Sequence, residues 1–252
     1  MCRLFAYTGA NPCTPRSVLG AQGTAELLEL SHEHCHGWGQ ASKSAHGFSC
    51  TRIPEAAYTS SAFTACLDHP VYSTMIHLRQ ASSAMSKKVV HNHPFVSGHY
   101  AFCHNGYFQH HEKIINFLHN RGIEVPYQAT DTEAYFALMR YYAHSYSIPE
   151  ALKLSAQHIL SVCGQNWLAL NALVMDDKYL YAFNFYRADS ALALAKPTRY
   201  KMHYQSTDAM WAVGSEGFSF RTESSKVHWM KQGQILRVSH QGTGLTDVTP
   251  HI

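Results

Sequence analysis

Cys2 sits in the opening stretch MCRLFAYTG, one residue from the start of the chain. Met1 precedes a small residue, so its removal is sterically reasonable and would leave one residue holding both a thiol and a free α-amine. The amine has an ordinary pKa of about 7.7–8.0 and the thiol about 8.5, so a base and a nucleophile would share that residue. The same cysteine also suits a plainer role as a small apolar residue of a first strand.

Four more stretches carry groups of chemical interest. In HLRQAS (77–82), Arg79 ends an apolar strand, where a guanidinium can grip a carboxylate through two parallel bonds or form a surface ion pair. In NHPF (92–95), Pro94 stiffens a loop and His93 can orient a neighbour. In HNG (104–106), Asn105-Gly106 reads as a tight turn, yet an asparagine amide beside a backbone N–H is also a natural donor pair for an oxyanion. TDTE (130–133) matches a capping box between Thr130 and Glu133, and it puts Asp131 at a helix N-terminus, where it can meet a ligand ammonium.

HEHCH (32–36) offers three histidines and a cysteine in five residues. Alternate side chains of a short segment diverge unless it is extended, and no partner cluster has zinc-like spacing, so no metal is expected there. No cofactor is expected either. The chain has no G-x-S-x-G elbow, no glycine-rich phosphate loop and no H-E-x-x-H pair, which weakens serine-hydrolase, nucleotide and zinc-protease readings.

The elements that must position these groups read as α+β. CRLFAYTG, GWGQAS, VYSTMIHLRQAS and HYAFCHNGYF have strand character, with a short helix at 24–31. Helices are expected from Asp131 to about Tyr146 and from Pro149 to Gly164, where apolar residues recur at three- and four-residue spacing. NWLALNALVMDDKYLYAFNFYRA then reads as two long strands around a turn at Asp176-Asp177, and MHYQST, MWAVGSEG and QILRVS continue as strands. Strands, helices and strands again, with hairpin-like links, favour largely antiparallel sheets. With no linker or repeat, residues 1–252 are expected to form a single domain.

Composition narrows the remainder. Hydrophobic residues are 46% of the 252 and charged residues 15%, enough apolar material for a sizeable core. A formal net charge of +3 without a basic stripe gives no case for nucleic acid. No stretch approaches the roughly 20 apolar residues of a membrane span, and no signal-like segment opens the chain. Seven cysteines without repeated spacing are expected to be free thiols in the cytoplasm.

Taken in order from Cys2 through HGWG (36–39), HLRQAS, NHPF, HNG and TDTE, the chain resembles the class II glutamine amidotransferases, members of the N-terminal-nucleophile hydrolase group. GSEG (214–217), Trp229 and QGQILRV (232–238) extend the likeness more loosely. The resemblance implies a four-layer αββα sandwich of two antiparallel sheets between helix layers. It casts Cys2 as nucleophile, with its own amine as base. Asn105 and Gly106 become the oxyanion hole, while Arg79 meets the α-carboxylate of a glutamyl group, Asp131 its α-ammonium, and Ser82 offers a hydroxyl to the same head group. Trp38 and His93 shape the pocket.

The chain departs from the synthase-linked members, which have an aromatic residue after the arginine where this chain has Gln80. It looks more like the stand-alone branch beginning Cys-Arg. The implied activity is cleavage of the γ-amide of glutamine, or of a γ-glutamyl amide, through an N-terminal cysteine thioester. The substrate is a small molecule, and an ammonia-accepting partner subunit is the one partner left open. Two alternatives stay beside it: an N-terminal-nucleophile hydrolase of a different linear amide, and a catalytically silent binding protein of the same fold.

Overall fold

The computed structural model describes residues 2–44, 47–81, 91–221 and 226–250. In chain order the first part gives β1 (Arg3–Cys13), α1 (Pro15–Glu33), β2 (Trp38–Ser44), β3 (Gly47–Ile53), α2 (Ser61–Asp68) and β4 (Val71–Leu78). The middle gives β5 (Phe95–Ser97), β6 (Tyr100–Phe108), α3 (His111–His119), α4 (Asp131–Ala143), α5 (Ile148–Cys163), β7 (Trp167–Met175) and β8 (Tyr179–Asn184). The last part gives α6 (Ala191–Ala195), β9 (Met202–Ser206), β10 (Met210–Ser215), β11 (His228–Trp229), β12 (Gln234–Ser239) and β13 (Thr246–Asp247).

These strands make two antiparallel sheets. One runs β11-β9-β10-β1-β4-β2-β3 and the other β13-β12-β8-β7-β6-β5. Period-two alternation assigns every strand two faces. On β1, Leu4 and Ala6 point between the sheets, where they join Met75, Cys103, Leu173, Leu180 and Trp211. Phe5 and Tyr7 point the other way, onto Val18, Leu19 and Leu27 of α1 and Phe63 of α2. On β7 the same alternation gives Leu173 to the inter-sheet core and Leu170 and Val174 to α3, α4 and α5. The result is an α+β sandwich of two packed sheets with helices on both outer faces.

Helix starts follow local chemistry. Thr130 caps α4 through its hydroxyl, accepting from the Glu133 N–H at 3.2 Å, and Glu133 returns the bond to the Thr130 N–H at 2.8 Å. Ser147 and Glu150 make the same reciprocal box at α5, and Gly164 follows its end. The first helix is longer than the expected 24–31. Thr14 caps it, Pro15 occupies its first turn, and a kink at Gly20 joins two helical pieces.

The second difference lies at Asn105-Gly106. Here β6 does not turn but continues to Phe108, pairing Asn105 with Asn171 and Gly106 with Leu170 on β7. The glycine serves close approach instead: a Cβ on Gly106 would lie 1.7 Å from the Ala169 carbonyl oxygen. No helix among the described residues is long and apolar enough to cross a membrane.

Candidate active site

Cys2 stands just ahead of β1, half-buried, and its position is pinned from both sides. Its Sγ points at the Gln80 carbonyl, 3.8 Å away, and its own carbonyl accepts from Arg3 Nη1 at 3.1 Å. The Leu4 N–H donates to Ser215 Oγ on β10 at 3.0 Å. Burial pushes the Cys2 thiol above its ordinary value; the positive amino terminus and Arg79 pull it down, and Asp131 adds to the rise. A thiol kept protonated this way needs a base to become a nucleophile.

Arg79 follows the last residue of β4 and is only 4% exposed. The HEHCH stretch explains how it is held. The His36 N–H donates to the Arg79 carbonyl (3.1 Å), and the Arg79 N–H donates to the Gly37 carbonyl (2.8 Å). Arg79 Nη1 reaches the His36 carbonyl at 3.4 Å, and His36 Nδ1 accepts from the Ala81 N–H at 3.0 Å. Among the described residues no carboxylate lies within ion-pair distance of Arg79. Among them, too, no group of three His, Cys, Asp or Glu side chains is arranged to hold a metal ion.

Asp131 opens α4. Its Oδ1 accepts from the Thr132 N–H at 2.8 Å and its Oδ2 from the Phe108 N–H at 3.4 Å, which ties the helix start to the end of β6. No described cation pairs with it. Three buried histidines back the same region. His104 Nε2 faces the Ala169 carbonyl at 3.1 Å and so carries the proton, which leaves Nδ1 to accept from the Thr132 hydroxyl at 3.0 Å. His93 Nδ1 accepts from the His104 N–H at 3.4 Å, and its ring lies 4.1 Å from that of His77. Burial pushes all three imidazoles below their ordinary pKa.

One cleft of about 380 Å3 brings Cys2, Arg79, Gly106 and Asp131 together, with His93, His104 and Arg199 also in its wall. That volume falls within the range of about 300–1,000 Å3 typical of small-molecule sites. Asn105 lies behind the wall, fully buried, and its Nδ2 donates to Ser215 Oγ at 3.4 Å. Trp38 is packed on the helix side of the sheet against Phe63 (centroids 5.0 Å apart) and is not part of the cleft lining. Ser82 and Met1 lie outside the described residues.

Sequence reasoning did not single out Arg199, Ser215, His104 or Thr132 as site residues. For Ser215 the signal was the GSEG stretch; for His104 it was its place beside Asn105. Arg199 had none, because the segment after α6 reaches the cleft only through tertiary packing.

No family model matches the chain, and no curated protein matches it in sequence. Solved structures do match. A glutamine aminotransferase class-II domain protein from Silicibacter pomeroyi superposes with a TM-score of 0.65 at 18% identity, covering 99% of this chain and 100% of that one. The glutamine phosphoribosylpyrophosphate amidotransferase of B. subtilis gives 0.66 at 16% identity, covering 98% of this chain and 49% of that one. A predicted glutamine amidotransferase from Pseudomonas aeruginosa gives 0.55 at 14%, covering 98% and 99%. The chain therefore shares the two-sheet sandwich fold of these glutamine amidotransferase domains.

Proposed function

We propose that this protein hydrolyses the γ-amide of glutamine, or of a γ-glutamyl amide, with Cys2 as nucleophile. One observation carries the reading: a single cleft is lined by Cys2, by Arg79 and by Asp131, and among the described residues Arg79 has no carboxylate partner and Asp131 no cation partner. A zwitterionic amino-acid head needs that pair, and a glutamyl skeleton then reaches from it to the sulfur.

Arg79 takes the α-carboxylate and Asp131 the α-ammonium. The thiol, deprotonated by the α-amine of a Cys2-initiated chain, adds to the γ-carbonyl carbon. Negative charge collects on the carbonyl oxygen, where the Gly106 N–H in the cleft wall and, by the family resemblance, the Asn105 amide behind it serve as donors. The C–N bond breaks as the amine returns the proton to departing ammonia or amine. Water then cleaves the thioester and releases glutamate.

The reading treats the whole chain as one domain, supported by β1 pairing with β10 and β12 with β8 across the length of the sequence. The seven unpaired thiols support a cytoplasmic setting. Released ammonia either leaves or passes to an accepting partner subunit.

Glutamate release from glutamine and from γ-glutamyl peptides, wild type beside Cys2→Ala, tests the proposal, with intact mass showing whether Met1 is gone. Release that depends on Cys2 in a Met1-free protein is expected. Equal release by both proteins would remove Cys2 from the role of nucleophile.

A further inference from the structure

The cleft has one charge more than a glutamine head group uses. Its wall carries two guanidinium groups, Arg79 and Arg199, against the single carboxylate of Asp131. Burial disfavours the charged forms of His93 and His104, and His91 has the helix-capping Glu133 beside it at 3.9 Å. Free glutamine, whose α-carboxylate and α-ammonium cancel, would leave one positive charge unanswered in a partly desolvated site. Leaving such a charge unpaired is costly.

Arg199 is not a surface arginine whose partner happens to be elsewhere. It lies in the segment after α6, and the backbone there is fixed. The Arg199 N–H donates to the Lys196 carbonyl (3.0 Å), and the Lys201 N–H donates to that of Thr198 (2.9 Å). Asn171 Nδ2 donates to the Tyr200 carbonyl at 2.6 Å, and Asn171 is the cross-strand partner of Asn105. The arm bearing Arg199 is thus held to β7, the strand paired with the one that carries Asn105 and Gly106.

Its Nε is buried without an acceptor among the described residues, and among them no carboxylate lies within ion-pair distance of the guanidinium. Of the Glu216 carboxylate, Oε1 accepts from Thr198 Oγ1 at 3.3 Å and faces Lys196 Nζ at 3.1 Å, and Oε2 pairs with Arg3 Nη2 at 3.9 Å. Leu168, Gly106 and Tyr107 line the same cleft as Arg199.

We propose that Arg199 binds an anionic group on the departing amine, so that the preferred substrate is a γ-glutamyl amide whose amine carries a carboxylate, as in a γ-glutamyl amino acid or peptide. The inference rests on the γ-glutamyl reading of the site and narrows it. The overall step is γ-glutamyl–NH–R–COO⁻ plus water giving glutamate and the free amino acid. The C–N bond is cleaved, the departing nitrogen takes the proton and the thioester takes the water.

The test compares γ-glutamylglycine with γ-glutamylglycinamide, which differ at the distal carboxylate alone, and with glutamine, using the full-length protein. Wild type is expected to favour γ-glutamylglycine over its amide by roughly ten- to a hundredfold in kcat/KM, the range of a charge-assisted hydrogen bond. In Arg199→Gln this ratio should collapse towards one, through KM more than kcat, and Arg199→Lys should restore part of it. A wild-type ratio at or below one, or the same ratio in wild type and Arg199→Gln, overturns the inference even where the enzyme is active. A wild type that releases no glutamate from any of the three fails the γ-glutamyl reading itself. Because the readout is a ratio within one preparation, partial misfolding of a variant does not imitate it.

Discussion

Asn105 on β6 and Ser215 on β10 meet across the two sheets, amide Nδ2 to hydroxyl Oγ at 3.4 Å, 110 residues apart in sequence. The same oxygen accepts the Leu4 N–H at 3.0 Å, so one hydroxyl links the strand bearing Asn105 to the strand that begins beside Cys2. Ser215→Ala keeps the volume and removes the link. About a tenfold loss of kcat is expected, with little change in KM, against the roughly 10²–10³ expected for removing the Asn105 donor itself by Asn105→Ala. A Ser215→Ala protein with full turnover would show that the amide is held by other means.

Arg79 is a buried cation with no carboxylate partner among the described residues, so it costs stability in the empty protein. Arg79→Met is expected to raise the unfolding free energy read from urea melts by about 1–3 kcal/mol, while kcat/KM for glutamyl substrates falls at least about a hundredfold. Lower stability in the variant would mean that its contact with the His36 carbonyl outweighs desolvation.

His36 has its effect through the Arg79 loop. Losing its ring removes the acceptor for the Ala81 N–H and costs about 1 kcal/mol. His36→Ala should raise KM more than it lowers kcat, and His36→Asn, which retains an acceptor, should recover part of the loss. An unchanged KM would detach this histidine from the site.

Gly106→Ala should fail for reasons of space. The added methyl would meet the Ala169 carbonyl oxygen at 1.7 Å and His104 Nε2 at 2.4 Å, both fixed by strand pairing. The loss is expected to exceed the roughly 1–3 kcal/mol of ordinary overpacking, giving little soluble protein. Wild-type melting behaviour would contradict the strand geometry around Asn105.

Acid should destabilise the protein from an early point. Burial pushes His203 down to about 4, and His77, His93 and His104 are lowered by the same cause. The unfolded chain binds protons on these side chains first, so their contribution is whole above pH about 6.5 and drains as pH falls below it. For His203 the window runs from about 6.5 to about 4 and amounts to about 3 kcal/mol. Urea midpoints across that window should fall for wild type and fall less steeply for His203→Gln; parallel curves would exclude His203 as a source.

Much of this was legible in the residues. The box at Thr130–Glu133 set the start of α4 and so the place of Asp131, because capping is a local affair of four residues. The strand character of β1 and β7 was legible too, but both are nearly continuous apolar runs, so which residues face the other sheet and which the helices came only from the packed core. The Asn105-Gly106 pair was ambiguous from sequence, since a glycine that permits a turn looks the same as one that permits close approach. Only the neighbouring strand, with Ala169 against Gly106, decides between them.

The sequence by itself determined the chemical inventory and the local elements that carry it: a thiol at position 2, a strand-end arginine, a helix-start aspartate and two kinds of periodicity. Tertiary structure alone decided who faces whom. It brought Ser215 to Asn105, His36 to the Arg79 loop and Arg199 into the cleft, because each contact joins segments distant along the chain that meet only when the two sheets close on their common core.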